Sequence, residues 1–284
     1  MKQRIITSAV ALMALAVFFI LYNSVVTDIV VALAVCIAIY EMFKAMKLWE
    51  YRGFSILSMI YGCGVLFSIG YMTSREFFFI SLIYMTFSFI YIMKRLDTLK
   101  VEKMFFGILV SAFLGYAFSI FLSLKYSSNA QIALFYLLMG LGSAWWSDAG
   151  AYFSGTFFGK HKLCPHVSPK KTVEGLVGGI VVAVIGNVLV ALGYMSLCNK
   201  VAPFGYLISN TISVNILKIV LVTPILALVG VLGDLSASII KRQTGIKDYG
   251  NLFPGHGGIM DRFDSVLFIL PYLYVIFNVF PLLN

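Results

Sequence analysis

Apolar residues in this chain fall into long, nearly uninterrupted runs separated by short polar stretches. The runs predict nine helical spans at about 5–22, 26–43, 53–72, 77–93, 105–123, 131–158, 175–197, 213–240 and 263–282. Runs of roughly 20 apolar residues match a hydrocarbon core about 30 Å thick, and a helix satisfies its own backbone groups there. Strands of a membrane barrel would show short alternating segments, and none is present. Two polar stretches break the pattern. The sixth run continues into Ser143–Lys171, and the eighth into a charged segment before the ninth begins. The run after Met1-Lys2-Gln3-Arg4 has no clear small-residue cleavage site, so it is expected to be retained as the first helix.

Composition sharpens this picture. Of 284 residues, 61% are hydrophobic and 12% charged; soluble domains carry about 45–50% apolar and about 25% charged residues. The fold class expected is an all-α integral membrane protein of about nine transmembrane helices. Net charge is +9. With the N-terminus in the cytoplasm, seventeen of the 21 basic residues fall on the inner side, and only Arg75, Lys125, Lys200 and Lys218 fall outside. That bias predicts a cytoplasmic N-terminus, a C-terminus outside, and both large polar stretches facing the cytoplasm. Short loops and a bare membrane body point to a bacterial inner membrane. The four cysteines lack metal spacing and read as unpaired packing residues. Asp28 and Glu41, near span ends, read as solvated or snorkelling.

The chain divides near residue 125 into an N-terminal transmembrane region (1–125, five spans) and a region expected to carry the chemistry (126–284). In the second region, residues 147–175 read SDAGAYFSGTFFGKHKLCPHVSPKKTVEG. Asp148 and Tyr152 share a helix face. Ala151, Gly155 and Gly159 form a small-residue stripe suited to close helix packing, and it also permits a homodimer. Ser168 and Pro169 suit an N-cap and first helical position. Lys170, Lys171 and Thr172 would then lie at a positive helix N-terminus, a natural anion site, although the two lysines equally serve topology.

Residues 232–264 read LGDLSASIIKRQTGIKDYGNLFPGHGGIMDRFD. Ionisable groups at a membrane boundary are costly unless paired, hydrated or bound to a ligand. Asp234, Ser238, Lys241 and Arg242 fall on one helical face. Asp234 needs a partner, for which Lys241 or a metal ion would serve. Pro254-Gly255-His256-Gly257-Gly258 cannot continue a helix, and its glycines allow close backbone approach to a ligand. Asp261 and Asp264, three apart, favour a hard cation such as magnesium. Arg262 offers a fork for phosphate. His256 reads first as a hydrogen-bonding loop residue. Together these residues point to metal-assisted chemistry on a phosphate.

Residues 238–264 resemble the signature of the phosphatidate cytidylyltransferases (CDP-diacylglycerol synthases), carried by Ser238, Lys241, Arg242, Lys247, Asp248, His256, Gly257, Gly258, Asp261, Arg262 and Asp264. The region Asp148–Gly175, with Ser-Pro-Lys-Lys-Thr, is similar to that family as well. The resemblance implies transfer of the cytidylyl group from CTP to phosphatidic acid, giving CDP-diacylglycerol and pyrophosphate. It implies Asp234 and Asp261 as ligands of Mg2+, and a second cation near Asp264 and Asp248. Catalytic roles would fall to Asp234, Asp261, Lys241, Arg242 and Asp264. Substrate phosphates would be met by Asp148, Ser168, Lys170, Lys171, Thr172, Ser238, Lys247, Asp248, His256, Gly257, Gly258 and Arg262. The partners implied are CTP, phosphatidic acid and the bilayer, with no nucleic acid. Three alternatives compete: a secondary transporter of an anionic solute, a CTP-dependent lipid kinase, and a phosphotransferase consuming CDP-diacylglycerol. No inverted repeat supports the first, and the Asp-rich pattern of the last is missing.

Overall fold

The computed structural model describes residues 10, 13–71, 74–127, 130–200 and 213–283, and the apolar runs among them are helices. Residues 13–20 are helical and belong to the first expected span, the rest of which lies largely outside the described residues. The helices that follow are α1 (Val25–Ala45), α2 (Arg52–Tyr71), α3 (Ser74–Met93), α4 (Val101–Ser127), α5 (Ala130–Phe158), α6 (Val173–Lys200), α7 (Ile216–Thr244) and α8 (Met260–Val279). Six of the described helices are long and apolar enough to cross a membrane: those over Val25–Ala45, Arg75–Met93, Val101–Tyr126, Val173–Leu197, Ile216–Thr244 and Met260–Val279. Between α5 and α6 lies a two-stranded hairpin, β1 (Lys162–Cys164) and β2 (Ser168–Thr172). The chain forms two compact units, Met1–Ser127 with Lys241–Phe263, and Ser128–Ile240 with Asp264–Asn284.

In the first unit, α2 packs against α1, α3 and α4 around Val35, Ile39, Phe54, Leu66, Leu114 and Phe118, all buried. Glycines let backbones approach: a Cβ on Gly115 would come 2.9 Å from the Gly62 carbonyl oxygen. Asp28 and Glu41 are 6% and 3% exposed, which corrects the expectation that they are solvated. Each is buried because it has partners. Asp28 accepts from Lys125 Nζ and the Tyr126 hydroxyl, both at 2.6 Å, and Glu41 is met by backbone donors described below. The sulfurs of Cys36 and Cys63 lie 3.4 Å apart, and both thiols are free, as is Cys164; the Cys198 side chain lies outside the described residues.

In the second unit, α5 and α6 make the most extensive packing. The stripe of Ala151, Gly155 and Gly159 meets Thr172, Gly175 and Gly179, so its close packing is made within the chain. Buried Asn187 Nδ2 donates to Met139 O, Ser143 Oγ and Thr223 Oγ1. This polar cross-link joins α5, α6 and α7 where apolar helices alone have little specificity.

The helix start expected at Ser168-Pro169 is corrected: Ser168–Thr172 is a strand, and α6 begins at Val173. β2 pairs antiparallel with β1, Lys162 opposite Thr172 and Cys164 opposite Ser168. Both strands of a lone hairpin are edges, so Pro169 removes no needed donor. The helix is capped by Thr172, whose Oγ1 accepts from Gly175 N at 3.1 Å, a geometry that satisfies one of the four orphan N–H groups. Glu174 ties the hairpin base to the helix. It accepts from Lys160 N at 3.1 Å and lies 2.6 Å from His161 Nδ1.

Candidate active site

Helix α7 carries its polar residues at its C-terminal end. At about 1.5 Å per residue, its 29 residues span more than a hydrocarbon core, leaving Asp234–Thr244 as a polar extension of an apolar rod. It ends in a Schellman turn. Gly245 takes φ +71°, Ile246 N donates to Lys241 O at 3.1 Å, and Gly245 N to Arg242 O at 3.4 Å. Only glycine adopts this left-handed conformation at little cost.

In the second unit, Asp234 has its partner, and it is Lys171. Lys171 Nζ lies 2.6 Å from Asp234 Oδ2, with the two side chains 23% and 26% exposed. Ser238, one turn on, donates to Asp234 Oδ1 at 3.3 Å. Lys170, the neighbour of Lys171 in β2, is exposed, because successive strand residues point to opposite faces. Neither lysine therefore sits on a helix N-terminus, as the sequence led one to expect. Ser168 is half-buried and Thr172 buried, with Thr172 committed to its cap, while Asp148 lies exposed on α5. Asp264 Oδ1 accepts from Ser265 N at 2.8 Å.

In the first unit, Lys241 and Asp261 form a second pair at 3.1 Å, with side chains 16% and 4% exposed. The other oxygen, Asp261 Oδ2, accepts from Tyr249 N at 2.8 Å and Gly258 N at 3.0 Å. Lys241 Nζ also stands 5.4 Å from the Tyr249 ring centroid. The loop is shaped by Gly255 at φ +76° and Gly257 at φ +82° and by a turn in which Phe253 N donates to Gly257 O and His256 N to Phe253 O. These glycines were expected to admit a ligand close to the backbone; what stands close to two of them is protein carboxylate. Gly257 and Gly258 lie against Asp261 and Glu41 respectively. Around this centre, Arg242, Lys247, Asp248 and Arg262 are exposed, and His256 is half-buried.

Both acids suit a hard cation. Among the described residues, Asp234 Oδ2 meets Lys171, Asp234 Oδ1 meets Ser238 and Asp261 Oδ1 meets Lys241, and a carboxylate oxygen can accept more than one such contact. Among the described residues, no three His, Cys, Asp or Glu side chains gather into a metal cluster. Magnesium characteristically takes one or two carboxylates and completes its shell with water and substrate phosphates, so sparse oxygen donors are the fitting set.

Sequence reasoning paired Asp234 with Lys241 or a metal, and it missed Glu41. Glu41 Oε1 accepts from Ile259 N at 3.1 Å, and Oε2 from Met260 N at 2.9 Å. Its signal was available: a carboxylate within an apolar helix is expensive without partners, yet nothing in the sequence names donors more than two hundred residues away.

The chain matches the cytidylyltransferase family over residues 2–280, and it belongs to that family. The phosphatidate cytidylyltransferase of Bacillus subtilis (strain 168) is 31% identical over 290 residues, covering 99% of this chain and 98% of its own length. The protein of the same description from Staphylococcus haemolyticus (strain JCSC1435) is 39% identical over 171 residues, 60% of this chain and 58% of that one. The one from Staphylococcus saprophyticus is 41% identical over 143 residues, 50% and 49% respectively.

Proposed function

We infer that this chain is a membrane-embedded phosphatidate cytidylyltransferase, transferring the cytidylyl group of CTP to phosphatidic acid. The observation that carries the reading is the Asp261 centre, where a nearly buried carboxylate fixed by two backbone N–H groups and Lys241 lies inside the stretch that resembles the family signature. A phosphate oxygen of phosphatidic acid attacks the α-phosphorus of CTP. The bond from that phosphorus to the bridging oxygen of the β-phosphate breaks, and pyrophosphate leaves with the electron pair. The lipid phosphate is ionised at neutral pH, so no side chain is required as a base. The chain's task is positioning and charge neutralisation. Arg242, Lys247 and Arg262 are exposed cations that meet phosphate oxygens, with Arg262 able to bind two at once. Lys171 and Lys241 present ammonium groups whose positions are set by Asp234 and Asp261. Each of these two carboxylates is also a proposed ligand for magnesium. When bound, magnesium supplies Lewis-acid neutralisation of the triphosphate.

The bacterial relatives support a bacterial inner membrane, and the charge bias supports a cytoplasmic N-terminus, an outer C-terminus, and chemistry on the cytoplasmic side where CTP is found. Purified protein given phosphatidic acid is expected to move label from α-labelled CTP into chloroform-soluble product, and none from γ-labelled CTP. Lipid labelling from the γ-position would replace this reading with a lipid kinase, and no labelling from either position would refute transfer.

A further inference from the structure

We propose that Glu41 is a positioning residue of the transfer site: its buried carboxylate, carried by α1, holds the start of α8 and so fixes Asp261 in the geometry turnover needs. Three consecutive N–H groups leading into α8 all end on carboxylates. Gly258 N donates to Asp261 Oδ2, Ile259 N to Glu41 Oε1 and Met260 N to Glu41 Oε2. These are among the orphan donors of a helix start. Satisfying them with carboxylate oxygens also complements the positive end of the helix.

The surrounding residues are cut to fit. A Cβ on Gly250 or on Gly258 would overlap the Glu41 carboxylate, so two glycines of the loop make room for this one side chain. Fastening a loop inside an apolar bundle does not by itself call for a buried carboxylate, which is costly there. Here the loop being fastened carries Asp261 one residue beyond Met260. Glu41 also occupies the helix N-terminus that would otherwise attract a substrate phosphate. Phosphate recognition in this segment is therefore left to side chains. The N-terminal helices, whose sequence shows little sign of chemistry, thereby contribute to the site.

This inference rests on nucleotidyl transfer by the wild-type protein, so wild-type conversion of α-labelled CTP is measured first; its failure would refute that reading, not the role of Glu41. Glu41→Gln keeps the shape but offers one carbonyl oxygen for two donors. It is expected to lower kcat by about 10²-fold, as a displacement of about 1 Å at a reacting centre does. KM for CTP is expected to move less than threefold, and the thermal midpoint in detergent by a few degrees. In an Asp261→Asn background, adding Glu41→Gln is expected to cost less than threefold more, because residues acting through one another are not additive. Gly258→Ala, which pushes the same carboxylate away from α8, is expected to lower kcat in the same way and stands in if Glu41→Gln does not fold. The proposal is overturned if folded Glu41→Gln or Gly258→Ala turns over within threefold of wild type, or if the loss is fully additive with Asp261→Asn.

Discussion

Purified Asp261→Asn is expected to lose about 10³-fold or more in transfer of α-label to lipid, the scale of loss when a preorganised charge-stabilising group is removed. The physical reason is in the hydrogen bonds. Asp261 is surrounded by donors on both oxygens: Lys241 on one, and the N–H groups of Tyr249 and Gly258 on the other. An asparagine can turn its carbonyl toward only one side, and its NH2 then faces a donor on the other. The loop and the lysine cannot both keep their places, and the charge proposed to meet a cation is gone.

Stability falls as well, since breaking a buried pair leaves an uncompensated charge, at a cost of about 3–5 kcal/mol for a fully buried case. Lys241 is 16% exposed, so the lower end applies. Loss of fold and loss of chemistry are separated by Lys241→Met/Asp261→Asn, which removes both charges. That variant is expected to recover much of the thermal midpoint while transfer stays at or below the level of Asp261→Asn. Folded Asp261→Asn turning over within threefold of wild type would remove Asp261 from the mechanism.

The helical body was legible in the sequence because long apolar runs have one solution in a bilayer. The break before α8 was legible too, since Pro254–Gly258 cannot continue a helix; the stop of α7 at Gly245 was not, because the eighth run was expected to pass straight into the charged segment. Ser168–Thr172 was misread for a local reason. Ser-Pro is a sound helix start, but pairing with Lys162–Cys164 and the cap supplied by Thr172 together outweigh it. The site residues were legible as a list and not as partners. Helical spacing placed Asp234 and Lys241 on one face of α7, yet each finds its counterion elsewhere, in Lys171 and Asp261 respectively. Glu41 shows the same limit. Its distance from a span centre suggested hydration, whereas its environment is made by Gly250, Gly258 and two N–H groups from the far end of the chain. Periodicity reports which face a residue occupies; it does not report what that face meets.

The strand at 168–172 makes its two lysines unequal, and the inequality is measurable. Lys171 →Met is expected to lower kcat/KM for CTP by about 10²-fold, within the range for loss of one fixed charge at a phosphoryl centre. Lys170→Met is expected to lower it less than about fivefold. Lys171 is held at 2.6 Å by Asp234, and Ser238 holds the other oxygen of the same carboxylate, so its ammonium is already ordered when substrate arrives and little entropy remains to be lost. Lys170, on the opposite face and exposed, must be ordered on binding, and its attraction for phosphate is screened within a Debye length of about 10 Å at 0.1 M salt. Methionine keeps the apolar stem of either lysine and removes only the charge. Lys171→Arg is a sharper probe. A guanidinium is larger than an ammonium and binds in a planar fork, so it would keep the charge but not the single-point contact to Asp234, and an intermediate loss is expected. Steady-state rates for the three variants, with thermal midpoints to confirm folding, test the point. Equal losses at 170 and 171 would mean that the two lysines act only as a diffuse positive surface, and the Lys171–Asp234 pair would then have no part in recognising the triphosphate.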